Sequence, residues 1–370
     1  MTLRVILTGG GTGGHIMPGV SLADELTRAG CAVLWVGAAD GMEASIVPSR
    51  GIEFKPSGMS KVSSGVLRSP RRAMGAMFAV PNARAVIRNF KPNAVVGLGG
   101  YASVPMLLAA RLTGTRYFLL EQNVIPGKVS RWFAPRAACV FSQFAEARDY
   151  FAKRTLFRHT GSPVRRELLE KLASTNDRKP GRSEVLLVLG GSQGSRAINR
   201  AVCEAVASLE LELPGLRILH IAGKSEYEEV KPAYEGRPGH QVFDFCNSMQ
   251  DLYSQATIAV ARSGAVTLAE LAVAGIPSVL VPYPHAADDH QMANAKVFCD
   301  RGAARLLPQN ELTASRLIKD LCGLLHDNEG RKRAVEAARA LAMPHAAPEI
   351  VKCLVESAHP ETITMGKEKG

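Results

Sequence analysis

The chain has 370 residues, more than one ordinary hydrophobic core holds, so two domains of about 100–200 residues each are expected. Its 46% apolar content and its lack of an apolar run near the ~18 residues of a membrane span predict a soluble globular protein without a transmembrane helix. The net charge is +11. The seven cysteines are scattered and lack CxxC spacing, which predicts reduced thiols without a zinc site, as in a cytoplasmic protein. The chain opens on a predicted strand, so no signal peptide is expected.

Short apolar strands alternate with helical patterns through the first half, which is typical of βαβ units and a parallel sheet. We predict strands over residues 4–7, 32–36, 53–55, 94–97, 117–120, 139–141 and 158–160. Helices are predicted over residues 17–28, 41–49, 70–89, 104–112, 129–133 and 146–151.

The first strand runs into GGGTGGH, residues 9–15, and a helical pattern follows. A glycine loop between a strand and a helix brings backbone N–H groups to a helix N-terminus, which favours anions. The one titratable side chain in this loop is His15, whose ordinary pKa suits proton transfer near neutrality. A tight turn without a ligand is the alternative interpretation.

The same loop formally satisfies the GxGxxG pattern of dinucleotide-binding proteins. That pattern needs an acid at the end of the second strand to hold the ribose, and the nearest acid, Asp40, falls three residues after Gly37. Neither glycine run continues into the Gly-Lys-Ser/Thr of a P-loop. A dinucleotide oxidoreductase and a P-loop enzyme are therefore disfavoured.

Residues 61–91 contain seven basic side chains and no acid, interleaved with apolar residues. Residues 1–160 as a whole carry 20 Lys and Arg against 8 Asp and Glu, whereas the remaining residues are nearly balanced. A basic segment with apolar residues predicts contact with anionic lipid rather than with nucleic acid, because stacking aromatics are few. A solvated basic helix face is the alternative. The basic residues are Lys61, Arg68, Arg71, Arg72, Arg84, Arg88 and Lys91.

A turn-rich break at 161–163 predicts a domain boundary, after which the opening pattern returns. Residues 184–195 again form a strand and a glycine loop, followed by a helix over 198–209. Further strands are predicted over 217–221, 241–243, 258–261, 278–281 and 305–307. Further helices are predicted over 226–231, 249–255, 265–273, 289–300, 313–325, 331–343 and 348–358.

The pattern predicts an α/β protein with two Rossmann-like, doubly wound domains facing across a cleft. Ligands of such sheets bind at the carboxyl ends of the strands. The first domain is expected over 1–162, with a helix at about 345–358 packing back on it, and the second over 163–343.

Two segments of the second domain can recognise a nucleotide sugar. Ser263 or Gly264 would cap a helix whose free N–H groups suit phosphate, with Glu270 in its second turn placed for ribose hydroxyls. Glu270 as an ordinary helix acid is the alternative. Farther on, the amide side chains of Gln291 and Asn294 suit sugar hydroxyls, because amides donate and accept hydrogen bonds.

Seven motifs occur in order over most of the chain. They are GGGTGGHIMPG (9–19), GLGGYASVP (97–105), EQNVIPGKVSR (121–131), GSPVR (161–165), GGSQGS (190–195), RSGAVTLAEL (262–271) and DDHQMANA (288–295). Together they resemble the bacterial UDP-N-acetylglucosamine transferases of peptidoglycan synthesis that form lipid II. The resemblance implies the GT-B architecture, with the acceptor and the membrane bound by the first domain and the UDP-sugar by the second.

The resemblance also implies residue roles. His15 becomes the candidate general base, with Glu121 in a second plausible loop. The implied substrate-binding residues are Thr12, Gly13 and Gly14 of the first loop; Asn123 at the donor sugar; Arg165 and Ser192 at the diphosphate; Cys246, through its backbone, at uracil; Ala265, Val266, Thr267, Leu268, Ala269 and Glu270 at the nucleotide, with Glu270 on the ribose; and Gln291 at N-acetylglucosamine. The roles of Asp288, Asp289 and His290 stay open.

The implied activity is an inverting, metal-independent transfer of N-acetylglucosamine from UDP-N-acetylglucosamine to the muramoyl 4-hydroxyl of lipid I, with no cofactor. Partners would be these two substrates, anionic lipids on the cytoplasmic face of the inner membrane, and the cell-wall and division machinery; no nucleic acid is expected. The alternatives are another UDP-sugar transferase with a lipid acceptor, a UDP-sugar epimerase, and a non-catalytic nucleotide-sugar-binding protein.

Overall fold

The computed structural model describes residues 2–58, 70–174, 184–191, 193–325 and 328–358, with side chains of the long basic helix described from residue 77 onward. The chain divides into two compact units. Unit 1 comprises Met1–Val164 and Pro344–Gly370, and unit 2 comprises Arg165–Met343.

Unit 1 is built on a seven-stranded parallel sheet with the order β3-β2-β1-β4-β5-β6-β7. Its central strands are buried on both faces, which explains their continuous apolar runs. The strands are β1 (Arg4–Thr8), β2 (Ala32–Gly37), β3 (Glu53–Pro56), β4 (Ala94–Gly97), β5 (Tyr117–Glu121), β6 (Cys139–Ser142) and β7 (Phe157–His159).

Helices cover both faces of this sheet and form two apolar clusters with it. The helices are α1 (Gly13–Arg28), α2 (Glu43–Ser49), α3 (Pro70–Phe90), α4 (Val104–Thr113) and α5 (Lys128–Phe133). The late helix α14 (Ala346–Ala358) belongs to the same unit and packs on α1, where Ile350 and Leu354 join a core that also contains Val5 and Leu7.

Unit 2 contains a six-stranded parallel sheet with the order β10-β9-β8-β11-β12-β13. Its strands are β8 (Val185–Leu189), β9 (Arg217–Ile221), β10 (Gln241–Phe243), β11 (Ile258–Ala261), β12 (Ser278–Leu280) and β13 (Ala304–Leu306). Its helices are α6 (Arg166–Ser174), α7 (Arg196–Glu212), α8 (Tyr227–Val230), α9 (Met249–Gln255), α10 (Ala265–Ala274), α11 (His290–Asp300), α12 (Ala314–Leu325) and α13 (Asn328–Ala340).

Strand order reverses between β1 and β4 in unit 1, and between β8 and β11 in unit 2. Loops that leave neighbouring strands in opposite directions open a crevice at such a point, which is where doubly wound sheets bind ligands. The first glycine loop follows β1 and the second follows β8, so each unit has a glycine loop at its strand-order reversal.

The thirteen predicted strands are confirmed to within one residue at each end. One helix prediction is wrong, and one helix was missed. Residues 146–151 do not form an α-helix, because Ala145–Tyr150 is a 3-10 segment. The sequence also failed to predict α6, which follows the break near Pro163 and buries Leu168 against the rest of unit 2.

Candidate functional site

The first glycine loop leads directly into α1, which begins at Gly13 rather than at residue 17 as predicted. Thr12 is the N-cap residue, and its carbonyl oxygen accepts the N–H groups of His15 at 3.1 Å and Ile16 at 3.2 Å. The predicted site residues Gly13, Gly14 and His15 therefore form the first helical turn, where N–H groups point out of the helix.

The imidazole of His15 lies between a threonine hydroxyl and a glycine turn. Thr12 Oγ1 is 3.1 Å from His15 Nδ1. On the other side, a Cβ atom on Gly99 would lie 2.9 Å from His15 Nε2, and the φ angles of Gly99 and Gly100 are +95° and +73°. The glycine pair that follows β4 is thus required both by its backbone conformation and by the space that His15 occupies.

Glu121 and Asn123 form a second loop at the end of β5, the strand next to β4. The carboxylate of Glu121 is buried and accepts the backbone N–H of Asn123 at 3.0 Å and that of Gly127 at 3.1 Å. The Asn123 side chain donates a further, longer hydrogen bond of 3.5 Å to the same carboxylate. These contacts show Glu121 shaping the loop that carries Asn123.

Sequence reasoning missed a second buried carboxylate, that of Glu43. This side chain is fully buried and accepts the N–H groups of Gly11 and Ala38, each at 3.0 Å. The sequence places Glu43 in the first turn of a short helix, where acidic residues are common. Its position therefore gave no sign of a buried carboxylate.

In unit 2, three predicted or neighbouring polar side chains form a buried chain. Arg165 donates to Glu270 Oε1 through Nε at 2.7 Å, with Nη2 at 2.6 Å, and Tyr253 donates its hydroxyl to Glu270 Oε2 at 2.9 Å. Burial opposes the charge of Arg165, but the negative charge of Glu270 and its hydrogen bond to the guanidinium outweigh burial and raise the pKa of Arg165. Burial and the charge of Glu270 raise the pKa of Tyr253 well above its usual range, so Tyr253 donates as a neutral phenol.

These three contacts fall twice on Oε1 and once on Oε2 of the Glu270 carboxylate, which offers roughly four acceptor positions. The predicted phosphate and ribose groups, Arg165 and Glu270, therefore contact each other directly, which the sequence did not indicate.

The second glycine loop is held by Ser195 and Arg262. Ser192 lies outside the described residues. Ser195 is the N-cap of α7, and its hydroxyl accepts the N–H of Ile198 and a hydrogen bond of 2.8 Å from Arg262 Nη2. Arg262 is buried at the end of β11 and also donates to Val281 O, Pro282 O and Gln309 Oε1.

All four of these acceptors on Arg262 are neutral oxygens, so the hydrogen bonds satisfy the guanidinium without neutralising its charge. Burial lowers the pKa of Arg262 accordingly. Sequence reasoning placed Arg262 in the motif but did not single it out as a functional residue.

Helix α10 carries the five predicted nucleotide contacts, 265–269, in its first half, with Gly264 as N-cap. Nearby, Gln291 accepts the N–H of Tyr283 through Oε1 at 2.9 Å, which leaves its NH2 group as the donor for a sugar hydroxyl. Asn294 is instead buried and donates to Ser263 O at 3.2 Å, a role within the fold rather than at a sugar.

Cys246 lies close enough to Arg165 for the charge of the guanidinium to act on its thiol. Burial nevertheless raises the pKa of Cys246. The contact of its backbone with a ligand stays a prediction.

The residues whose roles the sequence left open lie where a short turn, Ala287–Asp289, leads into α11. Asp288 and Asp289 both have positive φ angles, 51° and 54°. Such a conformation is uncommon for residues other than glycine, and asparagine and aspartate tolerate it best. The turn presents exposed carboxylates beside His290, whose Nδ1 lies 2.7 Å from Ala287 O.

In the described part of the chain, no three His, Cys, Asp or Glu side chains group as metal ligands would. Across the same residues, none of the helices combines the length and the apolar character that crossing a membrane requires.

Two parallel, doubly wound sheets, each with a glycine loop at its switch point, define the class of GT-B glycosyltransferases and agree with the predicted fold class. The N-terminal domain of glycosyltransferase family 28 matches residues 5–142, and the C-terminal domain of that family matches residues 185–350.

The comparison extends to whole proteins. The UDP-N-acetylglucosamine–N-acetylmuramyl-(pentapeptide) pyrophosphoryl-undecaprenol N-acetylglucosamine transferase of Geobacter sulfurreducens is 37% identical over 97% of this chain and 100% of its own length. The crystal structure of Acinetobacter baumannii MurG superposes with a TM-score of 0.77 at 30% identity, covering 96% of this chain and 99% of that one. The calicheamicin glycosyltransferase CalG4, with a TM-score of 0.69 at 16% identity over 98% of this chain and 99% of its own, shares the fold. The chain belongs to glycosyltransferase family 28, and within it to the family of these pyrophosphoryl-undecaprenol N-acetylglucosamine transferases, which confirms the predicted resemblance.

Proposed function

We propose that this chain transfers N-acetylglucosamine from UDP-N-acetylglucosamine to the muramoyl 4-hydroxyl of lipid I and thereby forms lipid II. The observation that carries the proposal is the full-length match to transferases of this name, with 37% identity over 97% of the chain. The polar groups at the strand ends of both units supply the chemistry that this reaction needs.

In the proposed mechanism, the acceptor oxygen attacks the anomeric carbon while UDP leaves, so that configuration inverts. His15 takes the proton from the hydroxyl. For Nε2 to be the basic atom, Nδ1 must carry the hydrogen and donate it to Thr12 Oγ1, which lies 3.1 Å away. The Thr12 hydroxyl can accept that hydrogen, so the contact fits the tautomer in which Nε2 takes the proton.

The departing diphosphate gains negative charge, and unit 2 offers positive groups to stabilise it. Arg262 is buried beside the N-cap of α7, where the helix dipole is also positive, and the four acceptors described above carry no charge that would neutralise it. We assign Arg165 and Ser192 to the diphosphate and Glu270 to the ribose. The remaining substrate contacts are Cys246 at uracil, the N-terminal half of α10 at the nucleotide, and Gln291 and Asn123 at the sugar.

The catalytic test is His15→Ala, with His159→Ala, an exposed histidine of unit 1, as the matched control. We expect lost transfer from labelled UDP-N-acetylglucosamine to a lipid I analogue, and unchanged UDP-N-acetylglucosamine binding by calorimetry. EDTA should leave the wild-type rate unchanged, because no metal takes part in the proposed step. Failure of the wild-type protein to form the disaccharide lipid would refute the function, and unchanged turnover of His15→Ala would refute the base.

We also propose that unit 1 docks on anionic lipids at the cytoplasmic face of the inner membrane, where a polyprenyl acceptor resides. Helix α3 buries Ala79, Ala83 and Ile87, whereas Met77 and Phe78 are 70% and 78% exposed. Its exposed Arg84 and Arg88 add positive charge. Exposed apolar side chains next to cations suit a membrane interface.

Lys61 and Arg68 lie outside the described residues, as do the side chains of Arg71 and Arg72. Binding to vesicles of phosphatidylglycerol should fall strongly when Met77 and Phe78 are both replaced by serine, or when Arg68, Arg71 and Arg72 are reversed in charge. Leu211→Ser, at an equally exposed leucine of unit 2, should bind as wild type. Unchanged binding by both sets of unit 1 variants would refute the docking. Contact with the cell-wall and division machinery is part of the same proposal and would follow from this location.

A further inference from the structure

The first glycine loop encloses an anion that belongs to the protein itself. The carboxylate of Glu43 is fully buried, and it bridges two neighbouring strand exits. Its Oε2 accepts the N–H of Gly11, in the loop after β1, and its Oε1 accepts the N–H of Ala38, in the loop after β2. Hydrogen bonds from N–H groups to a carboxylate are among the stronger ones in proteins.

The space for this carboxylate is made by glycines. A Cβ atom on Gly10 would lie 2.0 Å from Glu43 Oε1, and one on Gly41 would lie 2.4 Å from the carboxylate. A Cβ atom on Gly37 would lie 2.8 Å from Glu43 Cγ. The absence of a side chain at these three glycines therefore leaves the space that Glu43 occupies.

The opposite side of the loop is held just as closely. A Cβ atom on Gly100 would lie 2.6 Å from Gly10 O, and the adjacent Gly99 packs against the ring of His15. Gly10 is thus enclosed by Glu43 on one side and the Gly99–Gly100 turn on the other. A movement of the Gly10–Gly11 segment would carry Thr12 and His15 with it, because they follow directly in the chain.

We propose that Glu43 is a positioning residue, which holds the first glycine loop in the shape that presents Thr12 and His15 to the acceptor; this rests on the proposed function. The N–H of Gly11 is committed to Glu43, and the negative charge beneath it disfavours a substrate phosphate at that point. The loop therefore has two parts: Gly10 and Gly11 contact the protein's own carboxylate, and residues 12–15 are the part assigned to the substrate.

The test compares Glu43→Gln with Glu53→Gln, the same change at an exposed glutamate on β3 of the same unit. Glutamine has one acceptor oxygen and can bind only one of the two backbone N–H groups, so in either orientation the bridge that ties the loop of Gly11 to that of Ala38 is lost. Displacing a catalytic group by about 1 Å can cost about 10²-fold in rate, and we expect a loss of kcat of about that size. The KM for UDP-N-acetylglucosamine should stay within about twofold, because the donor contacts assigned above lie in unit 2 or, for Asn123, in the loop after β5, and not in the loop that Glu43 holds.

Hydrogen exchange gives a readout that does not depend on turnover. The amide of Gly11 should exchange faster in Glu43→Gln than in wild type, and peptides from unit 2 should be unchanged. Gly10→Ala displaces the carboxylate without removing it, and it should reproduce both effects if Glu43→Gln does not fold.

Wild-type-like kcat in folded Glu43→Gln, or unchanged exchange at Gly11, would overturn the positioning role, even if thermal stability falls. If the wild-type protein itself does not turn over, the proposed function fails, and the Gly11 exchange then decides alone whether Glu43 holds the loop.

Discussion

The Arg165–Glu270 pair allows a quantitative test of the donor half of the site. Replacing Arg165 by methionine keeps a side chain of similar length and removes the guanidinium that lies 2.6 Å from Glu270 Oε1. The Glu270 side chain, 4% exposed, would then keep its charge with the Tyr253 hydroxyl as its remaining bond among those described above.

Removing one partner of a buried ion pair costs about 3–5 kcal/mol, because the other charge stays buried without compensation. The Arg165 side chain is 21% exposed, so water can enter where the guanidinium was, and we expect the lower value of about 3 kcal/mol. Since each 1.4 kcal/mol is a factor of ten, the opening equilibrium should rise by about 10²-fold.

The assay is hydrogen exchange at the amides of α10, measured under conditions in which exchange reports the opening equilibrium. The matched control is Arg166→Met, at the next residue, which removes an exposed pair with Glu170 at 2.6 Å. Pairs of that kind contribute about 0–1 kcal/mol. Adding Glu270→Gln to Arg165→Met should restore most of the lost protection, because the uncompensated charge is then gone.

Equal effects of Arg165→Met and Arg166→Met would refute this reasoning. So would a double variant whose loss equals the sum of the two single losses, because contacting partners should be non-additive.

Three further outcomes are expected. Burial lowers the pKa of His220 to about 3. Below about pH 6.5 the unfolded chain therefore binds a proton at this histidine that the folded chain does not bind. The free energy of unfolding of unit 2 should fall by about 2 kcal/mol between pH 7 and pH 5. Urea unfolding should show this loss in His285→Asn, an exposed control, and lack it in His220→Asn. Gly19→Ala should destabilise unit 1 by about 1–3 kcal/mol in thermal unfolding, because the new methyl group would lie 2.4 Å from a buried tryptophan ring; Gly127→Ala meets no atom within 4 Å and should not. Arg262→Lys should destabilise unit 2 by about 1–3 kcal/mol in urea, because an ammonium group cannot reach all four oxygens that the guanidinium bonds; unchanged stability would contradict that role.

Much of the fold could be predicted because strands buried on both faces are written as continuous apolar runs, such as VLLVL at 185–189. Strand order, by contrast, depends on which strands pair and is not encoded locally. Helix α6 was missed although Leu168, Leu169 and Leu172 have helical spacing, because the segment lies between a turn-rich break and a polar stretch and was read as part of the domain boundary. The start of α1 at Gly13 was predicted four residues too late, because the glycines before residue 17 are typical of a loop.

The candidate site could be predicted as a set of motifs but not as a set of contacts. Arg165 and Glu270 are 105 residues apart, and a single sequence offers no means to pair them. Glu43 was overlooked for a related reason, since only the folded chain shows that an acid on α2 lies beneath the loop after β1. The role of each residue in turnover stays a prediction until the variants are measured.

The return of α14 to unit 1 has a consequence for the order in which the protein is made. Ile350 and Leu354 complete a core begun by Val5 and Leu7, yet all of unit 2 lies between them in the chain. While residues 165–343 are being translated on the ribosome, the apolar core around Val5 and Leu7 therefore still lacks the residues that α14 contributes. Unit 2, contiguous in sequence, can finish folding before unit 1 does. The unit that is synthesised first is therefore the last to complete its core.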